Sequence, residues 1–541
     1  MILRRRLSLM ITVAFVAVAG TLSLLAVLNG SASARANTAP FVPRYVATTG
    51  NDSLNDCDSK SAPCRTIQHA VDRAYSTDSI LVATGVYSDL HRRPVPPGYF
   101  APPADGVITQ VVYITKSVTI LGGYDKYFTY PPDPTTNPVT LTAQNKGRVI
   151  VLVGNTSPTI RGLRMSGGNA MGLGGGWGSR DAGGGAFIIS ATATLDNNRV
   201  FQNAAYNGGG LYLYRSAATL ANNTITANTA DWQGGGIVLY WSDPTLEGNV
   251  VTSNTAVAHG GGLYLNYSNA SINGNTIATN TAEYGGGAFL DWYSAATLDQ
   301  NTVAANTAHS EGGGLRLNQS DAIFNRNTIL SNTADNGGGL YLSDSDSVFD
   351  SNSIMSNTAY YGGGLYLKMS DPALTNTIIA NNRASTNGSG LYITWRSSPR
   401  LLHTTIARNR GSGIYVTNQS SSYSAVAMTN TILVSHTVGI TATAGNTATL
   451  EATLWYSNTK DGGGAGATIT GTHNYWGDPR LAADGYHLMD GSSAINNGVN
   501  AGVTTDVDGD SRPDCVLVDI GADEYQGLSC QRIYLPVVMR N

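Results

Sequence analysis

The chain has 541 residues, 63 of them glycine, with only 13% charged residues and a formal net charge of −4. That weak, slightly acidic balance excludes the basic face a nucleic-acid-binding protein needs. The glycine content would suit an unfolded low-complexity chain, but 42% of the residues are hydrophobic and they recur at fixed intervals, which excludes disorder.

At the N-terminus Arg4, Arg5 and Arg6 precede an apolar run from Leu7 to Leu28, followed by small residues at Ala32-Ser33-Ala34 and Ala34-Arg35-Ala36. This is the layout of a signal peptide over residues 1–36. If retained, the same run is long enough to anchor the chain in a membrane. Either way the remainder is expected outside the cytoplasm, secreted or at the cell surface, with no other membrane contact.

Residues 37–145 read as an N-terminal cap with irregular first coils. Cys57 and Cys64 lie here, and Cys515 and Cys530 lie near the other end. Four cysteines allow three pairings. An exported chain without zinc-ligand spacing favours disulfides, and the two local pairs are expected because the repeats separate the ends. Over residues 65–74, Ile67, Ala70, Val71 and Ala74 share one helical face, predicting an amphipathic helix over the first coil. Strands are expected at 79–83, 111–114, 118–121 and 148–153. The Pro-rich stretches 94–103 and 131–138 read as long loops.

Residues 146–475 carry the repeat, at a period of about 25 to 27 residues. Gly triplets begin at Gly183, Gly208, Gly234, Gly260, Gly285, Gly312, Gly337 and Gly362, with looser copies at Gly388 and Gly411. Each precedes an alternating segment such as Leu211-Tyr212-Leu213, Ile237-Val238-Leu239 or Leu263-Tyr264-Leu265. Period two predicts a strand with aliphatics inward and the middle residue outward. A second strand follows, as in Ala218-Thr219-Leu220, and a third carries N-x-[VI]-x-x-N, as in Asn223 to Asn228 or Asn275 to Asn280. Three short strands per repeat predict an all-β fold, a single right-handed parallel β-helix with a short N-terminal capping helix. Stacked Leu and Ile would fill it, stacked Asn would hydrogen-bond from coil to coil, and the Gly triplets would supply positive φ at the corner. Helical repeats are excluded by the scarcity of helix formers, and a propeller blade needs a longer period.

Residues 476–526 read as a C-terminal capping module and 527–541 as a tail too short for a membrane barrel. The run Asp506-Val507-Asp508-Gly509-Asp510 suits a structural calcium, with Asp506, Asp508 and Asp510 as ligands. It equally fits a plain Asp-rich turn, since no EF-hand Glu follows.

Here the chain resembles a family. The segment Tyr45 to Asp52, the segment Pro63 to Ala70, and residues 80–87 look like the start of extracellular proteins of the pectin-lyase-like β-helix superfamily. The Gly-triplet coils are similar to polymorphic outer-membrane-type repeats. Asn474-Tyr475-Trp476-Gly477-Asp478-Pro479 and Val518-Asp519-Ile520-Gly521-Ala522-Asp523-Glu524-Tyr525 resemble a module that closes bacterial surface β-helices. The resemblance implies the fold and little about activity, since the superfamily holds lyases, hydrolases and adhesins. Its hydrolase signatures are missing. Asn-Thr-Ala stands at Asn228, Asn254 and Asn280 where N-T-D would fall, and His259 lacks the Gly before it.

Two readings of function follow. Tyr212, Tyr264, Phe289, Tyr341, Tyr366 and Tyr392 should form one outward ladder, flanked by Tyr214, Tyr240, Trp241, Tyr267, Trp292 and Trp395. Sugar rings stack on aromatic faces, so Tyr212, Tyr240, Trp241, Tyr264, Tyr267 and Trp292 are the expected glycan-binding residues of a non-catalytic protein. A self-stacking ladder that only stabilises the sheet is the plainer reading. The alternative activity is a polysaccharide lyase or glycoside hydrolase. Its acids would come from Asp231, Glu283, Glu311 and Asp335 before the triplets, with His259, His309 and Asp291 nearby. These are equally the polar residues that turns carry by default. An extracellular polysaccharide or a cell-surface molecule is the partner either reading implies.

Overall fold

The computed structural model describes residues 43–514 and 516–527. The segment read as a signal peptide, the expected Cys515–Cys530 pair and the tail beyond 527 lie outside the described residues. The described residues form one compact unit built of stacked parallel strands.

The repeat folds as its periodicity dictates. In each coil one strand, such as Leu211–Tyr214, joins a 15-stranded sheet, and two more, such as Thr219–Ala221 and Thr224–Thr226, join a 29-stranded sheet. Leu213 pairs with Leu239 and Leu239 with Leu265. All three are buried in one continuous aliphatic core. Seven of the coils add a fourth short strand the sequence did not suggest. Thr229–Gln233 and four counterparts form a separate 5-stranded sheet, and Thr358–Tyr361 and Arg383–Asn387 pair further along. In those coils the three-strand expectation is therefore corrected to four.

Buried polar ladders run parallel to the core. Asn203 Nδ2 donates to Asn228 Oδ1 at 3.0 Å, and the same bond repeats coil by coil to Asn409. A second Asn ladder runs from Asn198 to Asn352. Each amide also donates to a backbone carbonyl, as Asn280 does to Val251. Buried turns thus keep their polar groups paired. A third ladder passed unnoticed in the sequence. The amide of Ser216 donates to Ser242 Oγ, Ser242 to Ser268, and so on to Ser397.

The Gly triplets do two jobs rather than one. Only the first of each has positive φ, as Gly260 does at +63°. The others are required by crowding. A Cβ on Gly262 would lie 2.5 Å from the carbonyl oxygen of Gly287 in the next coil.

At the N-terminal end the helix spans Ile67–Arg73, capped by the Thr66 side chain, which accepts from the His69 amide. Ile67, Ala70 and Val71 are buried against the first coil, and Cys57 and Cys64 form the expected disulfide beside them. The C-terminal module packs on the outer flank of the last coils. Leu488, Ala494, Ile520 and Ala522 cluster with the outward-facing Ile378, Ala380, Ala407, Ile432 and Val434. The buried Arg512 holds the module's closing segment together, donating to Glu524 at 3.0 Å and to the carbonyls of Asp519, Gly521 and Ala522.

Candidate functional site

On the 15-stranded sheet the outward positions line up in register: Phe187, Tyr212, Val238, Tyr264, Phe289, Arg316, Tyr341, Tyr366, Tyr392 and Tyr415. The ladder is real, interrupted by Val238 and Arg316. It is not an open surface over its first half. Tyr212 is 0% and Tyr264 1% exposed, and Tyr240 is buried with them. Tyr264 is packed among Tyr240, His259 and Phe289, and two features cover the coils before it. The Pro-rich loop folds back so that Tyr99 packs edge-on against Phe187 at 5.5 Å and Phe100 against Tyr214 at 5.3 Å. The turn at 172–182 brings the Trp177 amide onto the Tyr212 hydroxyl at 2.9 Å. Tyr212, Tyr240 and Tyr264 are therefore corrected from glycan contacts to packing residues. The sequence showed that the Pro-rich loop was long but not where it landed, and it did not mark the turn at 172–182.

The turn residues behave differently. Trp241, Tyr267 and Trp292 occupy the position just after the strand, with φ of 45°, 49° and 46°. In other coils that position holds Arg215, Gln319, Asp344 or Met369 with similar φ, so the turn accepts any side chain. Here its occupants are aromatic in consecutive coils. Trp177 meets Trp241 edge-on at 4.6 Å, Trp241 stacks on Tyr267 at 5.7 Å and 11°, and Tyr267 meets Tyr293 at 5.9 Å. Tyr267 is 40%, Trp292 43% and Tyr293 66% exposed. Sequence reading missed Trp177 and Tyr293. The second could have been found as the neighbour of Trp292. Trp395 also holds the turn position, several coils away, beneath Lys368 at 5.6 Å.

Beneath the covered half lies a buried polar chain. Tyr240 donates to Gln233 at 2.9 Å, and Gln233 Nε2 is 3.3 Å from His259 Nδ1. Tyr264 donates to Asp291 at 2.9 Å, and Asn318 donates to its other oxygen at 2.8 Å. Burial, with Arg316 nearby, lowers the His259 pKa to about 4, so the ring is neutral near pH 7. Burial raises Asp291, against the pull of Asn318 and Tyr264. It raises the Tyr264 hydroxyl far above its ordinary value. These groups satisfy one another inside the wall. Of the other candidate acids, Glu311 is tied to Arg316 at 2.6 Å, and Asp231 and Asp335 are exposed on different coils, as is His309, with Asp231 and His309 on the fourth strands. Glu283 is half-buried on its own coil.

The structure regroups the aspartates of the C-terminal loop. The buried Asp506 accepts the amides of Asp508 and Asp510 on one oxygen, at 2.9 and 2.8 Å, and that of Glu524 on the other, at 3.0 Å. Asp508 instead faces His487 and Asp523, and all three place ligand atoms within 4.8 Å of one another. Asp510 is exposed beside them. His487 and Asp523 were not singled out as ligands by sequence, because 36 residues separate them and Asp523 was read only as part of the closing module.

The comparisons with known proteins agree with this architecture. Residues 137–265 match a family model described as the right-handed β-helix region. Residues 286–481 match one described as the periplasmic copper-binding protein NosD. The fold is a right-handed parallel β-helix. Among solved structures, this β-helix is similar to XylC in complex with xylose, at 11% identity over 89% of this chain and 98% of that one, with a TM-score of 0.34. It is similar to the pectate lyase Pel9A, at 11% identity over 89% and 96%, with a TM-score of 0.27. The surface adhesin PfbA of Streptococcus pneumoniae follows at 11% identity over 76% and 85%, with a TM-score of 0.19. No curated protein matches the chain. Among the described residues no helix is long and apolar enough to cross a membrane.

Proposed function

We propose that this β-helix is an exported, non-catalytic protein that binds an extended glycan along the ring row Trp177, Trp241, Tyr267, Tyr293 and Trp292. The observation that carries the reading is the continuity of that row across successive coils, each ring within 5.9 Å of the next from Trp177 to Tyr293. A turn that tolerates Arg, Gln, Asp or Met has no packing need for adjacent indole and phenol rings, and clustered exposed aromatics mark contact surfaces. A line of rings that runs from coil to coil and stays partly exposed suits contact with the apolar faces of a linear sugar chain. Export is supported by the signal-like N-terminus and by the Cys57–Cys64 disulfide.

The test is calorimetric titration with soluble xylans, polygalacturonates and neutral glucans. Binding should quench tryptophan emission and weaken several-fold in Trp241→Ala and Tyr267→Ala, while Tyr341→Phe leaves it intact. Release of unsaturated or reducing ends from any of these polymers would overturn the non-catalytic reading. Equal affinity in the wild type and a Trp241→Ala/Tyr267→Ala double variant would remove the row from it.

A further inference from the structure

The C-terminal module brings together side chains that the aromatic row does not use. His487, Asp508 and Asp523 come from three separate segments and place their ligand atoms within 4.8 Å of one another. We propose that they form a binding site for a borderline divalent cation of the zinc type, which staples the three segments to each other.

The imidazole is oriented for the task. Its Nδ1 lies 2.7 Å from Asp484 Oδ2, and its Nε2 lies 3.0 Å from Asp508 Oδ2. A carboxylate holding one ring nitrogen is the arrangement that stands behind metal-bound histidines, and the other nitrogen is turned toward Asp508 in the cluster. Asp523 supplies an independent sign. It is only 5% exposed, yet its one hydrogen bond among the described residues is from the Leu488 amide to Oδ2, at 2.6 Å. Its other oxygen accepts no hydrogen bond among the described residues and is left for the cluster it faces. A cation bridging it to His487 and Asp508 would satisfy it.

The donor set also selects the ion. A calcium site needs six or more oxygens. Asp506, the acid best placed to add them, is already spent on the amides of Asp508, Asp510 and Glu524. What converges is one nitrogen and two carboxylates with open positions for water, a set that suits zinc and its neighbours. The Asp506 loop then serves to aim Asp508.

The experiment is zinc titration of the chelator-treated full chain by calorimetry, with thermal melting in parallel. One saturable site and a raised Tm are expected. His487→Ala and Asp523→Asn should each weaken binding at least about tenfold, and Asp484→Asn about tenfold, by freeing the ring. Asp510→Asn should leave it unchanged. Cobalt should give a visible absorption band that His487→Ala abolishes. Asp523→Asn keeps an acceptor for the Leu488 amide. If it nonetheless fails to fold, His487→Gln carries the test. The proposal is overturned if no saturable zinc binding occurs, or if binding is undisturbed by the His487 substitutions. Calcium binding that survives them would also overturn it, because the carboxylates alone would then be the site.

Discussion

Asn409 Nδ2 donates to His436 Nε2 at 3.3 Å, and His436 Nδ1 in turn lies 3.1 Å from Asn458 Oδ1. A histidine thus takes one rung of an asparagine ladder, accepting on one nitrogen and donating from the other. Only the neutral ring can do both.

This makes the ladder acid-sensitive. Burial lowers the His436 pKa to about 4, against about 6.5 in an unfolded chain. Above the upper value neither state holds the proton, and stability is full. As pH falls toward the lower value, the unfolded chain takes up a proton that the folded chain refuses, so stability drops across that window. The loss amounts to about 3 kcal/mol at most. Melting temperature against pH should show it, and His436→Asn should flatten the curve. His403, lowered to about 3 by burial and Arg512, would account for a remaining slope. A curve unchanged by His436→Asn would contradict the assignment.

Removing a rung should cost more than removing a surface contact. Asn280→Ala strips acceptors from the Asn254 amide and side chain and a donor from the Val251 carbonyl. Each group left unpaired in the interior carries its own penalty, so a loss of at least about 3 kcal/mol is expected in urea unfolding. Thr276→Ala, on the outer side of the same coil, should stay within about 0.5 kcal/mol.

Two glycines distinguish space from backbone freedom. Gly262→Ala drives a methyl to 2.5 Å from the Gly287 carbonyl, and neither backbone can yield, so the loss should reach about 3 kcal/mol or more. Gly274 has φ of +63° with nothing within 4 Å of a built Cβ, so Gly274→Ala should cost only about 1 kcal/mol. Comparable losses at both sites would show that crowding is not what keeps the later triplet glycines.

Reducing the Cys57–Cys64 bridge opens a short loop, worth about 2 kcal/mol. The effect should be local. Hydrogen exchange should quicken around the Ile67–Arg73 helix and leave the coils beyond residue 183 protected. Quickening throughout would mean that the cap governs the whole stack.

The core was legible because a stacked fold repeats its own instructions. Leu213, Leu239 and Leu265 announce one column through period and spacing alone, and so do Asn228, Asn254 and Asn280. The outward direction of Tyr212 followed from the same alternation, but its burial did not. That depends on Tyr99, Phe100 and Trp177 arriving from loops that occur once and therefore carry no periodic signal. The same holds for His487 and Asp523, whose meeting is set by how a non-repeating module folds against the coils. The serine ladder escaped notice for another reason. Ser is common in this chain, and a recurrent Ser reads as a turn residue unless its partner is known.

The paired asparagine ladders also set what changes of length the molecule tolerates. In every regular coil the two rungs are five residues apart, as Asn223 and Asn228 are, while the step from coil to coil varies from 25 to 27 residues. Slack is thus confined to the turns, and the segment between rungs is a fixed gauge. Losing one residue inside the gauge would swing an isoleucine into a polar column. Losing or duplicating an entire coil would leave every neighbour matched. Such a molecule can be shortened or lengthened only in whole windings, so related proteins of this build should differ in size by integral steps.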